Sequence, residues 1–153
     1  MINKNIRLTK RGLDKIKNEL KNLKERHIKL SKLWRSNRSD TDEVQHSVEL
    51  LEHADTSRHI EQLENILRKA KPISAIDMSQ TDKVVGLGNI VLLKSIKGEK
   101  KVTLVESIEA DPFSGFISEK SPLGQAVFGR QVGEKAVVES PKGNEEYTIL
   151  NIS

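Results

Sequence analysis

Apolar residues recur at two different periods along this chain, and the change of period divides it. The first run reads Leu13, Ile16, Leu20, Leu23, Leu30 and Trp34, with His27 filling its one polar step. Steps of three and four alternate, which is the heptad seam of a helix that packs on another helix. Thr9, followed by Lys10, Arg11 and Gly12, stands where an N-cap belongs. A helix over 10–37 is about 40 Å long. It is too long and too polar to lie along a small globule, so its seam needs a partner.

Residues 42–70 supply one. Val44, Val48 and Leu51 start an apolar stripe, and Ile60, Leu63 and Leu67 finish one. Between them Glu52–His59 is nearly free of apolar groups, which predicts loose packing or a polar layer that includes His27. Ser36-Asn37-Arg38-Ser39-Asp40-Thr41 is polar and short enough to turn the chain back. The expectation is an antiparallel helical hairpin projecting as a rod, closed near its turn by Trp34. The rival is an intermolecular coiled coil. The short connection favours the hairpin, and with it a monomer.

Past Lys71-Pro72 the helical period stops. Glycines concentrate, and short β-rich runs follow at Asn89–Leu93, Val102–Ile108, Lys135–Val138 and Glu146–Ile152, with turns at Lys97-Gly98 and Pro141-Lys142-Gly143. Ser121–Gly129 reads as a short helix, with Ser121 as N-cap, Pro122 at its first position and Gly129 at its end. The fold class is therefore α+β. Two domains are expected: a helical hairpin over 1–75, and a small β-sheet domain with one short helix over 76–153.

Composition sharpens this picture. The chain has 153 residues, 35% of them apolar, and only five aromatics: Trp34, Phe113, Phe116, Phe128 and Tyr147. That is thin for one round globule and adequate for a rod plus a small core. With no cysteine, a disulfide scaffold, a thiol nucleophile and a cysteine zinc site are excluded. No apolar run approaches a membrane span and no signal-peptide core follows the start, so a cytoplasmic protein is expected. The net charge of +4 hides an asymmetry. Residues 1–39 carry 13 Lys or Arg against 3 Asp or Glu, and residues 40–77 carry 4 against 9. Basic and acidic arms attract each other in a hairpin, and the basic arm also suits a polyanionic partner such as a nucleoprotein machine.

Candidate chemistry gathers at the turn, which holds Asp40, Asp42 and Glu43. If the second helix begins near residue 41, Asp40 and Glu43 share a face and suit one hard cation. Two carboxylates are too few for a free-standing magnesium site, so a site shared with a partner is physically better. Acidic residues in a helix's first turn are also favoured by its dipole alone. Elsewhere the signals are bland. His46 and His53 are a heptad apart, too far for joint zinc ligation, and His27, His53 and His59 read as solvated or polar-core residues. Gly86-Leu87-Gly88 reads as a turn leading into a strand. Of Phe113 and Phe116, at least one belongs to the core and the other can anchor a docking contact.

Two stretches carry a family resemblance. One is Leu8-Thr9-Lys10-Arg11-Gly12-Leu13. The other runs from Ile117 through Ser121-Pro122-Leu123-Gly124 and Gly129 to Val132-Gly133-Glu134-Lys135 and Ser140-Pro141-Lys142-Gly143. Together, over essentially the whole chain, they resemble the bacterial Gre-type transcript cleavage factors, the GreA and GreB group. The resemblance implies an N-terminal antiparallel coiled coil and a C-terminal FKBP-like domain without isomerase activity. It implies RNA polymerase as partner, with the C-terminal domain docking at the rim of the secondary channel and the coiled coil entering it. Tip carboxylates then help hold a catalytic magnesium near the nascent RNA 3′ end. The polymerase hydrolyses the backtracked transcript, and the factor itself is no enzyme.

Members of that group carry Gly-Asp-Leu-Lys-Glu-Asn-Ala-Glu-Tyr at the tip. The matching stretch here is Ser39-Asp40-Thr41-Asp42-Glu43-Val44-Gln45-His46-Ser47. Asp40 and Glu43 fall on the two key acidic positions, and Asp42 is an added carboxylate. The glycine, asparagine, later glutamate and tyrosine are replaced, and the first arm is about a turn shorter. A related class keeps the fold and inhibits polymerase by occupying the channel. That reading stands beside cleavage stimulation, as do a peptidyl-prolyl isomerase and a coiled-coil adaptor.

Overall fold

Helix α1 spans Lys10–Ser36 and helix α2 spans Glu43–Lys69, each end within one residue of expectation. The computed structural model describes residues 5–36, 43–73 and 84–153, and of residues 43–46 the backbone alone. Thr9 caps α1 as its sequence suggests: the Gly12 N–H donates to Thr9 Oγ1 at 3.0 Å. The helices run antiparallel. Going up α1, Glu19 meets His59, Arg26 meets Glu52 and Ser31 meets His53. Ile16 and Leu63 are buried on the seam, and Leu13, Leu20, Leu23, Ile60 and Leu67 are partly covered.

The other half of the seam departs from expectation. Val48 and Leu51 are 59% and 66% exposed. Glu49, Glu52, His53 and Thr56 are the covered residues instead, and the Val44 side chain lies outside the described residues. The cause is helical phase. Ile60, Leu63 and Leu67 fix which face of α2 meets α1. Counting back from Ile60 by three and four gives Thr56, His53, Glu52 and Glu49. Val48 and Leu51 sit one residue off that line, about 100° around the helix, and a continuous helix cannot turn both stripes inward.

Two three-residue strands that were not expected flank the helices. β1 (Ile6–Leu8) and β2 (Ala70–Pro72) form a small sheet, and the Ile73 N–H extends the contact by donating to the Leu8 carbonyl at 2.9 Å. Strands this short are below the length at which alternation shows in a sequence. Two compact units result: one is Leu13–Ala70, and the other is Lys71–Ser153 together with the segment ending at Gly12. The expected boundary at residue 75 lies outside the described residues. The first turn of α1 belongs with the C-terminal unit.

That unit is built on β3 (Ile90–Ser95), β4 (Gly98–Val105), β5 (Phe116–Ser118), α3 (Pro122–Val127), β6 (Lys135–Ser140) and β7 (Gly143–Ile152). The sheet order is β5-β4-β3-β7-β6. Only β4 and β5 pair in parallel; β3–β4, β3–β7 and β6–β7 are antiparallel. Val91, Leu93, Val102, Leu104, Ala136, Ile149 and Ile152 meet Val127 of α3 and Ile117 of β5 in one core. The expected strand over Val102–Ile108 stops at Val105, where β5 ends opposite it at Ser118. The chain then makes a short 3-10 turn over Ser107–Glu109.

Helix α3 starts as its sequence suggests. Ser121 Oγ accepts from the Gly124 N–H at 3.1 Å, with Pro122 at the first position. Gly124 is required for another reason: a Cβ there would lie 2.0 Å from the Ser118 carbonyl oxygen. The glycine lets the helix approach the backbone that follows β5.

Candidate functional site

Of the acidic turn residues, Asp40 and Asp42 lie outside the described residues. Glu43 opens α2, with its backbone alone described. The convergence of Asp40 and Glu43 on one cation thus stays an expectation from sequence. Among the described residues, no three His, Asp or Glu side chains come together as a metal site.

Below the turn, Leu30, Leu33 and Trp34 of α1 and Glu49, Leu50, Glu52 and His53 of α2 line a cleft of about 300 Å³. Trp34 is one wall of this cleft and stays partly exposed. Glu52 is ion-paired with Arg26 on the cleft's margin.

The expected polar layer is present. The His27 and His53 rings lie 4.1 Å apart, tilted by 39°. Ser31 Oγ is 3.0 Å from His53 Nε2 and donates to the His27 carbonyl at 2.9 Å. Thr56 Oγ1 donates to the Glu52 carbonyl at 2.8 Å. His27 Nδ1 is buried with no hydrogen-bond partner among the described residues. An unsatisfied buried nitrogen weakens the seam locally. His59 is instead at the helix margin, 3.6 Å from Glu19.

In the C-terminal unit, Phe113 lies in the loop between β4 and β5 and Phe116 opens β5, and the structure separates their roles. Phe113 projects fully into solvent. Phe116 is partly buried, with the Arg11 guanidinium 3.8 Å above its ring, a favourable cation–π contact. Glu109, in the same loop region, is buried against the first turn of α1. Sequence reasoning missed Glu109, whose partner Thr9 is 100 positions away. It also missed Asn89, whose buried Oδ1 accepts from the Gly86 N–H at 2.9 Å and shapes the turn into β3.

Among the described residues one titrating pair is perturbed, and it lies elsewhere on the sheet. Glu145 accepts from Lys97 and from the Tyr147 hydroxyl. These bonds hold its carboxyl below the usual range, the Lys97 bond contributing most. The bond to Glu145, with some burial, raises the Tyr147 phenol above its usual value. Both residues lie on β7, and Lys97 ties that strand to the β3–β4 turn.

Comparison with known proteins decides the family. The family model described as "Transcription elongation factor, GreA/GreB, C-term" matches residues 80–153. The transcription elongation factor GreA of Bacillus cytotoxicus is 34% identical over 151 residues, covering 95% of this chain and 94% of the relative. The chain belongs to the GreA/GreB family. A second GreA, from Thermosipho melanesiensis, is 35% identical over 155 residues, covering 96% of each chain. Among solved structures, the GreA factor homolog 1 of Thermus thermophilus aligns over 98% of this chain and 99% of its own. Its identity is 27% and its TM-score 0.46, and the family assignment does not rest on it. In GreA/GreB terms, the family match covers β3–β7 and α3, and the full-length relatives extend it through the hairpin. Among the described residues, no helix is long and apolar enough to cross a membrane.

Proposed function

We propose that this chain is an accessory factor of RNA polymerase. It enters the polymerase secondary channel with its hairpin and stimulates cleavage of backtracked transcript by the polymerase's own active site. One observation carries the reading: identity of 34–35% to proteins named transcription elongation factor GreA, over 95–96% of the chain. Asp40 and Glu43 match the acidic tip positions of that family.

The donor chemistry fits a shared magnesium. Asp40 and Glu43 offer hard carboxylate oxygens, the ligand type magnesium prefers, and too few of them to hold it alone. When bound, the ion supplies a Lewis acid and a water of lowered pKa beside the scissile phosphate. The protein's task is delivery: α1 and α2 carry the carboxylates, and the C-terminal unit, with Phe113 exposed, holds the factor to its partner. The factor works as a monomer in the cytoplasm, at the nascent RNA 3′ end, without activity of its own.

A second reading has its own support. Ser39, Val44, His46 and Ser47 stand where the family has glycine, asparagine, glutamate and tyrosine, and the first arm is about a turn short. Such a tip suits a factor that occupies the channel without promoting cleavage. The isomerase reading loses ground, because the aromatics of the sheet unit do not converge: Phe113 is in solvent, Phe116 lies under Arg11 and Phe128 is half exposed.

The deciding measurement is release of the 3′ RNA fragment from a stalled, backtracked polymerase complex. Wild type is expected to accelerate release, and Asp40→Ala/Glu43→Ala to lose that acceleration by roughly 100-fold. Equal release by both proteins sinks the catalytic role. No release, with slower nucleotide addition, establishes the inhibitor reading.

A further inference from the structure

Gly12 lies in the first turn of a helix, where glycine is a poorer helix former than alanine. The reason is a side chain from far along the sequence. A Cβ on Gly12 would fall 2.0 Å from the Glu109 carboxyl carbon and 2.2 Å from its Oε2. Glu109 is 7% exposed. Its carboxylate accepts the Thr9 backbone N–H at 2.7 Å and also the Thr9 hydroxyl proton. Thr9 Oγ1 in turn accepts from the Gly12 N–H at 3.0 Å. Glu109 fixes the cap, the cap fixes the first turn, and the glycine leaves the room.

Charge points the same way. α1 has no acidic residue in its own first turn and begins Lys10-Arg11, the wrong sign for the positive end of a helix dipole. The Glu109 carboxylate supplies the missing negative charge. One residue away, Arg11 lies over Phe116. Glu109 and Phe116 flank the short loop that displays Phe113. That loop is closed on itself, with the Asp111 N–H donating to the Phe116 carbonyl at 2.8 Å and the Phe116 N–H to the Asp111 carbonyl at 3.0 Å. Both ends of the loop are thus held by the first turn of α1.

We propose that Glu109 is a positioning residue that couples the Phe113 loop to the root of α1. Engagement of the loop by the partner and setting of the helix root become one event. This rests on the polymerase reading above. Glu109 itself touches neither partner nor substrate.

Gly12→Ala, Glu109→Ala, Glu109→Gln and the double variant Gly12→Ala/Glu109→Ala test the coupling. Each is first checked for an unchanged circular-dichroism spectrum. In the free proteins, amide hydrogen exchange at Thr9 and Gly12 is expected to rise roughly tenfold in Glu109→Ala. Glu109→Gln, which keeps the shape and loses the charge, rises less and remains informative if Glu109→Ala does not fold. On polymerase, the half-saturating concentration is expected to stay unchanged while the maximal effect on cleavage or elongation falls by about fivefold.

Gly12→Ala separates the proposal from a plain helical role, since helix propensity alone predicts an improvement. The clamp predicts damage when Glu109 is present and none when it is absent, so the double variant performs no worse than Glu109→Ala. Unchanged exchange at Gly12, additive losses in the double variant, or a shift in half-saturation with an intact maximum each overturn the proposal. A wild type with no effect on polymerase overturns the polymerase reading instead. The exchange and double-variant data then show whether the clamp exists without a polymerase role, which also overturns the coupling.

Discussion

Leu63 and Leu51 are both leucines of α2, yet Leu63 is 4% exposed and Leu51 is 66% exposed. The first belongs to the half of the hairpin near its root, where Ile16, Leu20, Leu23, Ile60 and Leu67 cover one another. The second belongs to the half near the turn. There the seam passes through Thr56, His53 and Glu49, while Val48 and Leu51 face outward and Leu33 and Leu50 line the cleft. Apolar content does not distinguish the halves; phase does. One group of three residues near the root sets the rotation of the whole helix, and residues farther along inherit it whether or not it suits them.

The sharpest way to break this comparison is at the root. Leu63→Ala removes a buried side chain from the seam and is expected to destabilise the hairpin by about 3 kcal/mol. Chemical denaturation followed by Trp34 emission reads this directly, because Trp34 is the only tryptophan. A loss below about 1 kcal/mol would mean the root does not set the seam.

The polar layer between the halves predicts a gain. His27→Leu removes the buried, unpartnered nitrogen and restores the apolar step of the heptad, for a stabilisation of about 1 kcal/mol in the same measurement. Destabilisation would show that the contact with His53 favours the hairpin more than an apolar seam does. The smallest effect belongs to the outward stripe. Leu51→Ser is expected to change stability by no more than about 0.5 kcal/mol. A loss like that of Leu63→Ala would place Leu51 on the seam after all.

These differences also show what could be read from the residues in order. The α1 seam was legible because Leu13 to Trp34 keeps one phase throughout. α2 was legible as a helix, and its outward stripe was misassigned because two apolar stripes, offset by one residue, lie on it in succession. Ser121, Pro122 and Gly124 announced α3 locally. β1 and β2 are too short to leave a pattern, and pairing Ile6–Leu8 with Ala70–Pro72 depends on the hairpin having closed. Of the candidate site, Asp40 and Glu43 could be named from the tip sequence. Phe113 and Phe116 could be named but not told apart until Arg11 was seen over one of them. Glu109 left a single trace, a glycine in the first turn of a long helix, and no local rule says which distant side chain a glycine makes room for.

The sheet order has a consequence for how the molecule is made. β7 is hydrogen-bonded on both edges, to β3 and to β6, yet it leaves the ribosome after β3, β4, β5 and β6. The two helices need only each other and can zip together as soon as α2 has emerged. β3 and β4 must wait as an incomplete hairpin with an open edge, and Thr9 waits for Glu109, 100 positions later. Long-range pairing of this kind is slow and leaves strand edges unprotected in the interval. During synthesis the helices of Leu13–Ala70 can therefore pair before the sheet of the C-terminal unit is complete. β6 has only β7 as a strand neighbour, so that sheet is complete only when β7 pairs with both β3 and β6.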